Sequence, residues 1–137
     1  MNWKSLVISN AMGLMAAAAV PATAHHSFAA GYEADKRMTV TGNVTRFDYM
    51  SPHSLLRIDV KGAGGAKQSW MLEFGSPLVL SKIGWSATTF KFGDVIEVAG
   101  APARGGALRL YVMELKRPAD GFTFKASQGN QGSQATP

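Results

Sequence analysis

The sequence predicts an all-β fold with one short helix, its elements running β-β-β-α-β-β. Three observations predict it. Apolar and polar residues alternate with period two through several runs beyond Met38. Glycine, proline and aspartate punctuate those runs at short intervals, as turns require. One stretch, from Ser76 to Gly84, leaves the alternation and carries helix signals at both ends.

The first strand runs from Met38 to about Phe47, with Met38, Val40, Gly42 and Val44 on one face and threonines on the other. Gly42 suits a bend in a curling sheet. Phe47 and Tyr49 stand on the opposite parity to the valines, which predicts a register change near Arg46. Ser51-Pro52 then breaks the chain. The second strand, Ser54 to Lys61, turns Leu56, Ile58 and Val60 inward. A glycine-rich hairpin loop, Gly62 to Lys67, leads into a third strand, Gln68 to Phe74, with Trp70, Leu72 and Phe74 inward. Ser76 reads as an N-cap, Pro77 as the first helical residue and Gly84 as the stop; Leu80 and Ile83 face the core, and Trp85 packs back onto the helix. Phe92-Gly93-Asp94 is a turn before the fourth strand, Val95 to Ala99. A loop from Gly100 to Gly106 precedes the fifth strand, Ala107 to Lys116, with Leu108, Leu110 and Val112 on one face.

Five strands with a helix between the third and fourth is the order of an OB-like barrel, with a five-stranded meander sandwich as the alternative. The barrel spans 38–117 and an extended arm, 25–37, precedes it. The segment 118–137 reads as a mostly disordered tail, since from Ser127 onward it holds only Gly, Gln, Ser, Asn, Ala, Thr and Pro.

Residues 1–24 read as a cleaved secretory signal. Lys4 is followed by an apolar run from Leu6 to Val20, and Ala22-Thr23-Ala24 supplies small residues at −3 and −1. Cleavage after Ala22, or retention as an anchor, are the alternatives; the apolar run falls short of the ~20 residues a span needs. The expected location is periplasmic or secreted, with no stable membrane anchor after cleavage. Removal of Lys4 lowers the net charge from +5 to +4, and no basic run longer than two residues remains, so no nucleic-acid partner is expected. The chain has no cysteine, which excludes thiol redox chemistry and disulfide staples. Oligomeric state is not legible in the sequence.

The residues His25-His26-Ser27-Phe28, Thr41-Gly42-x-Val44, Ser51-Pro52-His53, Gly75-Ser76-Pro77, Gly84-Trp85 and Gly93-Asp94 resemble a domain-of-unknown-function family of small exported bacterial proteins. Its members read HHSF, N-P-H, G-S-P, G-W and G-D. The resemblance covers roughly residues 25–117 and implies export and a small β-rich domain, with no activity attached. One departure stands out: Ser51 replaces the asparagine before Pro-His, with a shorter reach toward the histidine.

The three histidines, His25, His26 and His53, carry the sharpest chemical reading. Cleavage after Ala24 makes His25 the first residue, whose α-amine and ring Nδ1 chelate one ion together. Nitrogen-rich sites favour Cu(II), with Zn(II) next, and an α-amine pKa of about 7.7–8.0 lets metal displace the proton near neutral pH. Met50, Met71 and Glu73 are further possible ligands. The bland reading makes His25 and His26 a solvated chain start and His53 a turn residue bonded to backbone.

An enzyme is not expected. Copper-dependent oxidation through a histidine brace has Tyr49 or Tyr111 as axial groups but no flat substrate face. Hydrolysis lacks any G-x-S-x-G or H-E-x-x-H motif, and Asp59, Glu73 and Glu97 fall on outward parities where solvated charge is the default. The alternative to metal is a periplasmic interaction or glycan-binding module that docks an envelope partner through Phe47, Tyr49, Arg57 and Tyr111 on an outward barrel face.

Overall fold

A computed structural model describes Phe28, residues 30–126 and the backbone of Ser133–Thr136. Residues 1–24, expected to be a signal, both His25 and His26, and the rest of the glycine- and glutamine-rich tail lie outside the described residues.

The strands are β1 (Met38–Asp48), β2 (Leu55–Lys61), β3 (Lys67–Glu73), β4 (Val95–Pro102), β5 (Arg109–Arg117), β6 (Phe122–Ala126) and β7 (Ser133–Thr136). A short helix, α1 (Pro77–Ser81), lies between β3 and β4. Hydrogen bonding runs β3-β2-β1-β4-β5, and a parallel pairing of β3 with β5 closes the circle. The result is a closed five-stranded OB-like barrel, as the order of elements predicts; closure removes the exposed edges an open sheet would leave.

Two features let β1 serve both sides of the barrel. Its first half pairs with β4, from Met38 opposite Gly100 to Asn43 opposite Val95, and its second half with β2. At Gly42 the two partners overlap, and a Cβ there would stand 2.5 Å from the Asp59 carbonyl oxygen, so only glycine permits the approach. Between Val44 and Arg46 the register with β2 slips, at the predicted place. The slip moves Phe47 and Tyr49 off the outward face: both pack on the core, and Phe47 meets Phe90 edge-on at 5.2 Å.

The barrel core holds Val40, Val44, Leu56, Ile58, Trp70, Leu72, Ile96, Val98, Leu110 and Val112, all at predicted inward positions or on β4. Met38, the first residue of β1, is exposed, as is Leu108 ahead of β5, against the expected inward parity. The helix closes one end. Leu80 is fully buried, the Trp85 N–H donates to the Leu80 carbonyl at 3.1 Å, and the Tyr49 hydroxyl donates to the carbonyls of Pro77 (2.9 Å) and Trp85 (3.2 Å). Ser76 holds the N-cap position, although its side chain makes no capping bond.

The sequence reading stops the fold at residue 117, and there the structure corrects it. Arg117, Asp120 and Gly121 form a turn, with the Phe122 N–H donating to the Asp120 carboxylate at 3.1 Å, and β6 then pairs with β5. Phe124 is buried against Phe74 and Trp85, with ring centroids 5.7 and 5.0 Å away. Arg117 fixes this corner: its guanidinium lies 4.9 Å from the Phe122 ring centroid and 2.9 Å from Asp94. The arm is also not wholly extended, since the Tyr32 N–H donates to the Phe28 carbonyl at 2.9 Å in one helical turn.

Candidate functional site

Glu73 is the last residue of β3, and its parity points out of the barrel, away from Leu72 and Phe74. It is nevertheless buried, at 8 % relative exposure, because three other segments converge on it. A carboxylate out of water needs donors or positive charge around it; two of the segments bring a hydrogen-bond donor and the third a guanidinium at ion-pair distance.

The first is the loop before β2. Leu55 stands opposite Glu73, and Ser54 exchanges backbone bonds with the next two residues, donating to Gly75 at 3.1 Å and accepting from Phe74 at 2.9 Å. The residue before Ser54 therefore flanks the carboxylate: His53 Nδ1 bonds Glu73 Oε1. A carboxylate only accepts, so Nδ1 carries the proton and donates. The His53 side chain is 46 % exposed, and Nε2 has no partner among the described residues.

The second is the arm. Tyr32 bridges to Ala103, the Glu33 N–H donates to the Pro102 carbonyl at 2.9 Å, and the Tyr32 hydroxyl donates to Glu73 Oε2. Burial, then the hydrogen bond and charge of Glu73, push the Tyr32 phenol well above the usual tyrosine range, so it stays a donor. Phe28 stacks on Tyr32 at 5.6 Å and meets Tyr111 edge-on at 4.8 Å, which pins the arm to β5.

The third is β5. Its parallel register sets Tyr111 beside Glu73 and Arg109 beside Met71, so Arg109 Nε comes within 3.6 Å of Glu73 Oε2. Burial and the Glu73 charge also raise the Tyr111 phenol.

Of the predicted ligands, the structure places His53 in this cluster; His25 and His26 lie outside the described residues, ending two residues before the Phe28 anchor. Among the described residues, no three or more His, Cys, Asp or Glu side chains gather closely enough to hold a metal. Glu73, expected to be solvated, is instead the hub. Tyr32 and Arg109 are not legible as site residues in the sequence: the aromatic spacing of Phe28 and Tyr32 in the arm is a weak signal for the first, and nothing local marks the second. The aromatic docking face is not assembled as expected. Phe47 and Tyr49 join the core, Tyr111 joins Phe28 and Tyr32, and no ring contact links the two groups among the described residues.

The model of a family of unknown function, DUF6152, matches residues 12–110. The chain belongs to that family. No curated protein matches. Among solved structures, the chain is similar to apo TiaS, a tRNAIle2 agmatidine synthetase, at 18 % identity and a TM-score of 0.42, over 74 % of this chain. It spans 26 % of that protein's length. At this similarity the likeness bears on neither the site nor its chemistry.

Proposed function

We propose that this DUF6152 protein binds a transition-metal ion, Cu(II) in preference to Zn(II), as a non-enzymatic metal-holding or accessory protein exported to the periplasm or beyond. The observation that carries the reading is the bond from His53 Nδ1 to buried Glu73. A metal-ligating histidine characteristically donates its other ring N–H to a carboxylate, which fixes the tautomer and ring orientation and strengthens the ligand nitrogen. Here that leaves the Nε2 lone pair of a half-exposed ring to face an ion.

The remaining nitrogens come from the arm. Phe28 is anchored beside Tyr32, whose hydroxyl shares the carboxylate that holds His53. Two residues of chain reach at most about 7 Å and three about 11 Å, so the Phe28 anchor supports His26, and the His25 amine and ring, as ligands on the same side of the barrel. Glu73 then acts as orienter rather than ligand, its two oxygens taken by His53 and Tyr32.

Calorimetric titration of the protein beginning at His25 tests this. Cu(II) binding tighter than about micromolar, weakened at least tenfold both by His53→Ala and by one extra residue ahead of His25, is the expected result. Binding indifferent to His53 refutes it.

A further inference from the structure

Glu73 is bonded on one oxygen to the loop that carries His53 and on the other to the arm that carries Phe28 and Tyr32. We propose that this carboxylate couples metal occupancy at His53 to docking of the arm, making Tyr32 a positioning residue for an ion it does not touch. This rests on the metal reading above.

The coupling follows from shared parts. With the arm docked, the Tyr32 hydroxyl and Arg109 hold the carboxylate in place, and the carboxylate holds the imidazole with Nε2 outward. When the arm lifts, Glu73 loses its phenol donor and the aromatic cover of Phe28 and Tyr32, so water reaches the carboxylate and the ring loses its fixed partner. Apparent metal affinity is then the intrinsic affinity scaled by the docked fraction. By linkage, metal that binds the docked form must raise that fraction. The arm is a suitable element for this: besides the Phe28 and Tyr32 side chains and the Arg37–Glu114 ion pair at 2.7 Å, its described residues are tied to the barrel by the Glu33 bond to Pro102 and the Tyr32–Ala103 bridge.

Two readouts test it. Amide exchange at Tyr32 and Glu33 reports docking, and Cu(II) calorimetry reports affinity. In the wild type, Cu(II) should slow exchange at both amides. Tyr32→Phe removes one charge-assisted bond, and should speed that exchange without metal and weaken Cu(II) by roughly five- to tenfold. Phe28→Ala lifts the arm without touching Glu73 and should act in the same direction, which keeps the test open if Tyr32→Phe folds poorly. In a His53→Ala background the Tyr32→Phe effect on metal should vanish, an outcome that a merely structural tyrosine would not produce. Tight, His53-dependent Cu(II) binding that is unaffected by Tyr32→Phe and Phe28→Ala, with exchange indifferent to metal, overturns the coupling but leaves the metal site standing. Absence of His53-dependent binding overturns both, and the wild-type titration alone reveals it.

Discussion

The imidazole of His53 and the carboxylate of Glu73 meet across 20 residues of chain, because β2 and β3 pair with Leu55 opposite Glu73. The same carboxylate takes the hydroxyl of Tyr32 from 41 residues away. An outward-facing acid at the end of a strand thus becomes a buried hub.

Replacing that hub should be costly even though the shape is kept. In Glu73→Gln a single amide oxygen remains to accept from two donors, Tyr32 and His53, and Arg109 loses its counter-charge. Loss of charge-assisted bonds of this kind costs about 1.5–3 kcal/mol. Urea denaturation should show a midpoint shift of that size with the m-value unchanged.

The raised Tyr32 phenol has a pH consequence. Its folded pKa lies above the unfolded value of about 10, so the stability it contributes is complete below pH 10 and is lost as pH rises toward the folded value. Wild type should lose stability above pH 10 more steeply than Tyr32→Phe. Tyr111, also raised, accounts for part of the remaining slope, and a Tyr32→Phe, Tyr111→Phe double substitution should flatten it further. Phenolate absorbance followed beside denaturation checks both.

Gly100 sits at the slip between β4 and β5, where a Cβ would come within 2.1 Å of the Tyr111 carbonyl oxygen. Backbone cannot yield as a side chain can. Gly100→Ala should cost about 2–4 kcal/mol and disturb Tyr111, whereas Gly31→Ala, with nothing within 4 Å, should fall within about 0.5 kcal/mol of wild type. Thermal unfolding of the pair separates the two cases.

The sixth strand predicts a further cost. Phe124 is buried against Phe74 and Trp85, so Phe124→Ala should destabilise by about 3–5 kcal/mol. A near-neutral result would mean that β6 is not part of the folded core.

These cases also mark what the sequence discloses. Period-two alternation locates β1 through β5, and the Ser76-Pro77 and Gly84 signals locate α1, because those patterns are set by neighbours along the chain. The slip near Arg46 is legible for the same reason, as valines and aromatics change parity. Burial of Glu73 is not, since it depends on an arm and a strand that arrive from elsewhere. Strand β6 is short, and its turn, Pro118-Ala119-Asp120-Gly121, and its Phe-Thr-Phe alternation are local signals outweighed by the polar residues that follow. His53 is visible as a residue type, but its carboxylate partner emerges only when β2 pairs with β3.

The most direct test of the central claim reads the two ring nitrogens of His53 by ¹⁵N NMR, in metal-free protein and again with Zn(II). A proton on Nδ1, a bare Nε2, and a shift of Nε2 on adding metal that is weakened in Glu73→Gln are what the geometry predicts. A proton resting on Nε2, with neither nitrogen responding to metal, would contradict it.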